Sequence, residues 1–258
     1  MTAARHFTPA TFAFMRELAA NNNREWFNAN KTRYEDVLRG SALEFIRDFE
    51  PLLWDISPYF RADDRKVGGS LFRIYRDVRF SKDKSPYKTY TGVQFRHTYG
   101  KDAHAPGFYL HLQPRASFIG LGTWHPDSPT LAKIRAAIDD DPDGWKQALA
   151  TPVFGNGFAL SGDTLKRPPR GFAAEHQLIE DLKRKDFIAI KPITQKEVTS
   201  AGFVDRFAAH AVGLRAHLTL GWLAGIGGAL AHALVIADVV LGGRIVIVAE
   251  GVRVFVDH

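Results

Sequence analysis

The hydrophobic period of this chain changes at Gly68-Gly69, and that change bounds what it can fold into. Upstream, apolar residues recur every three or four positions: Phe12, Met15 and Leu18 behind a Thr8-Pro9 helix start, then Trp26, Phe27, Tyr34 and Leu38 after three asparagines, then Phe45, Ile46 and Phe49. Such spacing places one apolar stripe on each of three helices. Ser41 and Glu44 stand at capping-box spacing ahead of the third, and Pro51 is expected to end or kink it. Downstream the period is two, in runs at about 70–80, 89–98, 107–113 and 117–124 separated by Gly, Pro, Asn or Asp. That pattern predicts an antiparallel meander. Helical patterns return behind Ser128-Pro129, near 175–185, and after Thr194, where Glu197 completes a second capping-box spacing. Strands grouped together with helices before and after them define an α+β domain and disfavour a parallel doubly wound sheet.

With 45% hydrophobic and 12% aromatic residues, 258 residues supply an ample core. The absence of cysteine excludes disulfides, thiolate metal sites and a cysteine nucleophile. It fits a reducing compartment, and the N-terminal stretch carries no apolar secretory segment, so a cytoplasmic location is expected. The net charge of +6 is local: residues 61–101 hold eleven Lys or Arg against four Asp, leaving the remainder near −1. A concentrated positive field suggests an anionic ligand or partner, against the alternative of a solvated basic face.

The run 70–80 places its charges within a strand-like alternation. Phe72, Ile74, Val78 and Phe80 share one parity, while Arg73, Tyr75, Asp77 and Arg79 share the other. Arg76 breaks the rule, which calls for a bulge or a buried guanidinium with a carboxylate partner. In the neighbouring runs Gln94 and Arg96, and Tyr109, His111 and Gln113, occupy the corresponding polar parity. A meander would then line one sheet face with Arg73, Tyr75, Asp77, Arg79, Arg96, Tyr109 and His111. Arginine forks match carboxylate or phosphate oxygens, tyrosine adds a neutral donor, and histidine titrates near neutral pH. A salt-bridge ladder without a ligand remains the structural alternative.

Other signals are weak or missing. There is no HExxH, Walker-type GxxxxGK[ST] or GxSxG, so neither a metal nor a nucleotide cofactor is expected. The glycine-rich stretch 155–162 reads as a plain turn, and Gly162 to Phe172, with two adjacent prolines, as a loop. Trp54, Tyr59, Tyr75, Tyr87 and Tyr90 lie near the basic window and suit base stacking, which keeps nucleic acid as an alternative partner. No RNP, KH or helix-turn-helix signature accompanies them. The apolar run 218–243 is long enough to span a membrane, but its glycines, His232 and Asp238 argue against insertion, with Asp at a span centre costing about 2.5–3.5 kcal/mol. The final residues resemble a hairpin around Glu250-Gly251.

The stretch RIYRDVRFSKDKSPYK resembles the signature RxxRDxRF followed by [DN]KxxY of a bacterial family, domain of unknown function family 2461. The match falls on Arg73, Arg76, Asp77, Arg79, Phe80, Asp83, Lys84 and Tyr87. Residues 21–35, GFYLHLQP at 107–114 and GDTLKRPPRGF at 162–172 are similar to the same family, extending the resemblance from about Phe7 to about Phe207. The resemblance implies no assigned activity. It marks its motif residues as candidate site residues and implies a family domain over 1–211, with 212–258 an extension or a shifted-frame product.

The sequence therefore leads to a soluble α+β domain that recognises a small anionic ligand, phosphorylated compounds included. Arg73, Arg79 and Arg96 are the expected anchors, assisted by Tyr75, Arg76, Lys84, Tyr87 and Tyr109. Asp77 and His111 are the acid/base candidates should chemistry occur. A nucleic-acid-binding module and a packing or interaction domain are the alternatives. Membrane association is not expected, and oligomeric state is left open.

Overall fold

A computed structural model describes residues 6–98, 104, 106–150, 152–217, 239–241, 244–249 and 252–256. The N-terminal part is helical. Helix α1 (Pro9–Ala20) starts at Thr8, whose backbone N–H donates to Thr11 Oγ1 at 3.1 Å, with Pro9 at the first helical position. Helix α2 (Arg24–Ala29) is capped by Asn23, whose side chain accepts the Trp26 N–H at 2.9 Å. Helix α3 (Lys31–Tyr34) passes through a π turn (Glu35–Gly40) directly into α4 (Ser41–Ile56). The expected helix start at Ser41 is thus a widened turn inside a continuing helix: Gly40 is itself helical, and Ser41 caps nothing. Pro51 lies within α4, which continues to Ile56 rather than ending at the proline.

The meander forms as β1 (Thr91–Arg96), β2 (Gly107–Leu112) and β3 (Phe118–Thr123), all antiparallel. Helices α5 (Ser128–Asp140), α6 (Pro142–Leu149) and α7 (Pro152–Gly155) follow, then β4 (Ala159–Ser161), α8 (Ile179–Leu182), β5 (Phe187–Pro192), α9 (Gln195–Val198) and α10 (Phe203–His217). Thr194 caps α9 through a reciprocal box with Glu197. The sheet order is β1-β2-β3-β5-β4, so a late strand returns to pair with β3 and the shortest strand holds the edge. The stretch 155–162, expected as a plain turn, therefore contains β4, while 175–185 condenses to the single helical turn of α8.

The run 70–80 is the largest departure. It is not a ladder strand: Leu71 and Tyr75 form isolated bridges to Val93 and Tyr87. Beyond Arg76 its polar groups turn inward on themselves. Asp77 Oδ1 accepts the Arg79 N–H at 3.2 Å, and Asp83 Oδ1 accepts the Ser85 N–H at 2.9 Å. Pro86 has no N–H to offer a partner strand. Local side-chain acceptors have displaced the ladder, and residues 76–86 form a self-braced loop.

One sheet face supplies the core. Val93, Phe95, Phe108, Leu110, Leu112, Ile119 and Leu121 are buried beneath α4 and α10. Phe49 packs 4.5 Å from Phe95 and 4.9 Å from Phe207, ring centre to ring centre. A smaller cluster of Ile134, Ile138, Trp145, Leu178, Leu182 and Phe187 closes the far end of the sheet. A separate three-stranded antiparallel sheet is formed by β6 (Val239–Leu241), β7 (Arg244–Ala249) and β8 (Val252–Val256). The last two strands flank the expected turn, whose residues 250 and 251 lie outside the described set, as does most of the apolar run 218–243. No helix among the described residues is long and apolar enough to cross a membrane.

Candidate functional site

The alternation that buries Val93 and Phe95 turns Gly92 and Gln94 to the opposite face. The register sets Gly92 opposite His111 and His111 opposite Phe118; Gln94 stands opposite Tyr109, which in turn faces Gly120. This second face is not covered by α4 or α10. It forms a cleft of about 290 Å³ walled by Phe72, Tyr90, Tyr109, His111, Phe118 and Trp124. Its floor includes Gly107, Gly120 and Gly122, where side chains would otherwise stand. Gly122 is obligatory for a second reason: its φ of 137° is left-handed, and a Cβ there would lie 2.1 Å from the Phe187 carbonyl oxygen.

His111 sits in a stack, 4.6 Å from the Tyr90 ring on one side and 4.6 Å from the Phe118 ring on the other. Its nitrogens are both engaged. Nε2 lies 3.0 Å from Gln113 Oε1, an acceptor only, so Nε2 carries the proton; Nδ1 then accepts from the Tyr109 hydroxyl at 3.2 Å. Burial lowers the His111 pKa, opposed by the Gln113 bond, so the ring is neutral at neutral pH. Burial also pushes the Tyr109 hydroxyl pKa well up, keeping it a donor.

Against two of the cleft's rings, Lys88 Nζ is 5.5 Å from the Phe72 ring centre and 5.8 Å from that of Tyr90. Lys88 is half-buried and has no carboxylate partner among the described residues. Burial lowers its pKa, and the nearby Arg73 guanidinium adds to the effect. Arg73 is exposed and makes no ion pair among the described residues.

The other expected site residues do not converge here. Arg76 pairs with Asp83 and reaches Ser81 Oγ; Lys84 Nζ donates to the Val78 carbonyl at 3.0 Å. Asp77 and Arg79 pair with each other at 2.6 Å in solvent, and the Arg79 side chain holds the Asp77 pKa down to about 2. Phe80, expected on the core face, is 96% exposed at this loop. Tyr87 is buried, stacked 4.1 Å from Phe27, and its backbone is gripped by Asn22: Nδ2 donates to the Tyr87 carbonyl at 2.9 Å, and Oδ1 accepts its N–H at 3.1 Å. Tyr75 is half-exposed over the same ring pair. Arg96 turns away at the far end of β1, where Nη2 donates to the Gly68 carbonyl at 2.5 Å. Of the expected face, only Tyr109 and His111 lie in the cleft.

Sequence reasoning passed over Lys88 and Trp124, offered Tyr90 only as a base-stacking residue, and set Phe72 on the apolar side with Ile74, whereas Phe72 walls the cleft. The available signal was parity: Lys88, Tyr90, Gly92 and Gln94 are all even-numbered, continuing the polar face of β1 upstream. It also passed over His125 and Asp186. Asp186 is 1% exposed, and His125, at φ 48°, holds its Nδ1 2.7 Å from Asp186 Oδ1 beside the cleft-lining Trp124. Among the described residues no group of three or more His, Asp or Glu is placed to hold a metal ion.

An α+β domain with one sheet face buried under helices and the other hollowed into an aromatic cleft is the class this architecture defines. The model of one family, described as a conserved hypothetical protein (DUF2461), matches residues 10–218, and the chain belongs to that family. No curated protein and no solved structure matches the chain.

Proposed function

We propose that the open-face cleft binds a small anionic molecule that carries a flat ring. The observation behind this reading is Lys88, a half-buried ammonium set against two aromatic rings with no carboxylate partner among the described residues. Unpaired cations are retained at such places when a ligand supplies the counter-charge. Arg73 adds a guanidinium suited to carboxylate or phosphate oxygens, and the Tyr90–His111–Phe118 stack offers ring faces. The volume falls near the lower end for ligand sites, about 300 Å³, which favours a single-ring compound over a dinucleotide.

The reading keeps Arg73 as an anion anchor, replaces Arg79 and Arg96 with Lys88, and makes the neutral His111 a stacking group. It is tested by thermal shift and calorimetry with 4-methylbenzoate and phenyl phosphate, using the wild type and Arg73→Ala. Saturable stabilisation that weakens in Arg73→Ala supports the cleft. Binding of single-stranded nucleic acid with a steep salt dependence, and none of either small anion, would replace this reading with the nucleic-acid alternative.

A further inference from the structure

The apolar walls and the unpaired amine have a chemical consequence beyond anion binding. A lysine is a nucleophile only as the free amine, and enzymes obtain that form by desolvating the side chain and setting another cation beside it. Both conditions meet at one residue. Lys88 Nζ lies 5.5 and 5.8 Å from the Phe72 and Tyr90 ring centres, half-buried and without a carboxylate partner among the described residues, and the Arg73 guanidinium is the charge that acts on it. The remaining basic groups of the 76–86 loop are spent internally or stand exposed: Arg76 on Asp83, Arg79 on Asp77, Lys84 on the Val78 carbonyl, and Lys82 in solvent.

Building on the cleft reading, we infer that Lys88 is a Schiff-base lysine that condenses with a small aromatic carbonyl compound bearing a carboxylate or phosphate. The Nζ lone pair attacks the carbonyl carbon and forms a C–N bond. The carbonyl oxygen leaves with the two amine protons as water, and a C=N bond remains. The Arg73 guanidinium, whose fork matches carboxylate and phosphate oxygens, holds the anionic group while the ring lies against the aromatic wall. The step needs no oxidant or reductant, and its product is reducible, which makes it detectable.

The test uses 4-carboxybenzaldehyde with sodium cyanoborohydride on the full chain, followed by mass spectrometric peptide mapping. The expected result is a single reduced adduct on Lys88, forming at least about five-fold faster than on the exposed Lys82 and Lys166. It is slowed in Arg73→Gln with this probe but not with uncharged benzaldehyde. Because the mapping is done on wild-type protein, it does not depend on a Lys88 variant folding. Labelling of Lys88 no faster than Lys82 or Lys166, while 4-methylbenzoate still binds, overturns the Schiff-base assignment and leaves the cleft reading standing. Loss of 4-methylbenzoate binding as well overturns both.

Discussion

Asp186 holds His125 by two atoms at once: its Oδ1 lies 2.7 Å from the ring Nδ1 and 2.8 Å from the backbone nitrogen of the same residue. Its second oxygen accepts the Asp163 N–H at 2.8 Å. A buried carboxylate thus ties the end of β3 to the loop after β4, from a position just before β5. The grip fixes His125 in left-handed backbone, which an unbranched turn would leave to glycine or asparagine. The ring is left half-exposed beside Trp124.

Replacing Asp186 with Ala should destabilise the domain by about 3 kcal/mol, since two backbone donors and an imidazole lose a charged acceptor. Burial pushes the Asp186 pKa up, but the N–H groups of His125 and Asp163 and the His125 ring outweigh it, and the net value lies below the ordinary 3.8. A depressed carboxylate stabilises fully above the unfolded pKa and loses that contribution as pH falls through the folded one. Urea midpoints of wild type and Asp186→Asn should therefore differ at pH 7 and converge below pH 3.8. Equal midpoints at pH 7 would show that the clasp contributes nothing.

Asn22→Ala removes a side-chain amide that satisfies both backbone groups of Tyr87. The expected loss is about 1–3 kcal/mol, because both groups lie in a part-buried seam that water reaches poorly. Chemical denaturation measures it directly. By contrast, Phe80→Ser should leave the melting temperature unchanged, because that ring is 96% exposed.

The glycines of this sheet face should rank by geometry. Gly122→Ala forces a side chain into a left-handed φ and onto the Phe187 carbonyl, and should cost about 2 kcal/mol or more. Gly92→Ala places a methyl 2.4 Å from the Tyr109 hydroxyl oxygen, so the tyrosine must leave His111, at about 1–2 kcal/mol. Gly120→Ala meets its nearest neighbour, Ile190, at an ordinary 3.6 Å and should be within about 0.5 kcal/mol of wild type while still narrowing the cleft. Thermal melts with and without 4-methylbenzoate separate folding from binding for all three. A stable Gly120→Ala that binds undiminished would place the ligand elsewhere.

His111 predicts a pH dependence of opposite origin to the clasp. Its folded pKa lies below the ordinary 6.5 because burial disfavours the charged ring. As pH drops below 6.5 the unfolded chain takes up the proton first, so stability falls down to the folded pKa and is flat above 6.5. His210, lowered by burial and Lys191, acts in the same direction, so the comparison is between wild type and His111→Gln over pH 5–8. The wild-type slope should be the steeper. Identical slopes would mean that the stacked ring titrates freely.

The sequence made the fold class legible because the change of hydrophobic period is a property of the chain itself. Phe95, Phe108 and Leu110 could only face a core, and they do. What it could not show was long-range pairing. β5 joins β3 across more than sixty intervening residues, and β4 is three residues long, below the reach of any alternation signal. The charged run failed for a different reason. Arg76 apart, its residues alternate in type from Arg73 to Arg79, but Asp77 and Asp83 carry acceptors that close a loop as readily as a ladder closes a sheet. The site's residue types were visible and its geometry was not: Tyr109 and His111 emerged from parity, whereas Lys88, one residue past the last signature position Tyr87, counted only towards the charge of the basic window.

The row of glycines beneath the cleft has one more implication. A basin whose bottom is bare main chain owes its outline to methyl groups that are missing, so any one of them, restored where the backbone tolerates it, re-cuts the vessel without touching its rim. A chain with the same scaffold and a methyl at one of these positions would carry a narrower hollow, and Gly120 is the position at which that change would meet least resistance from folding.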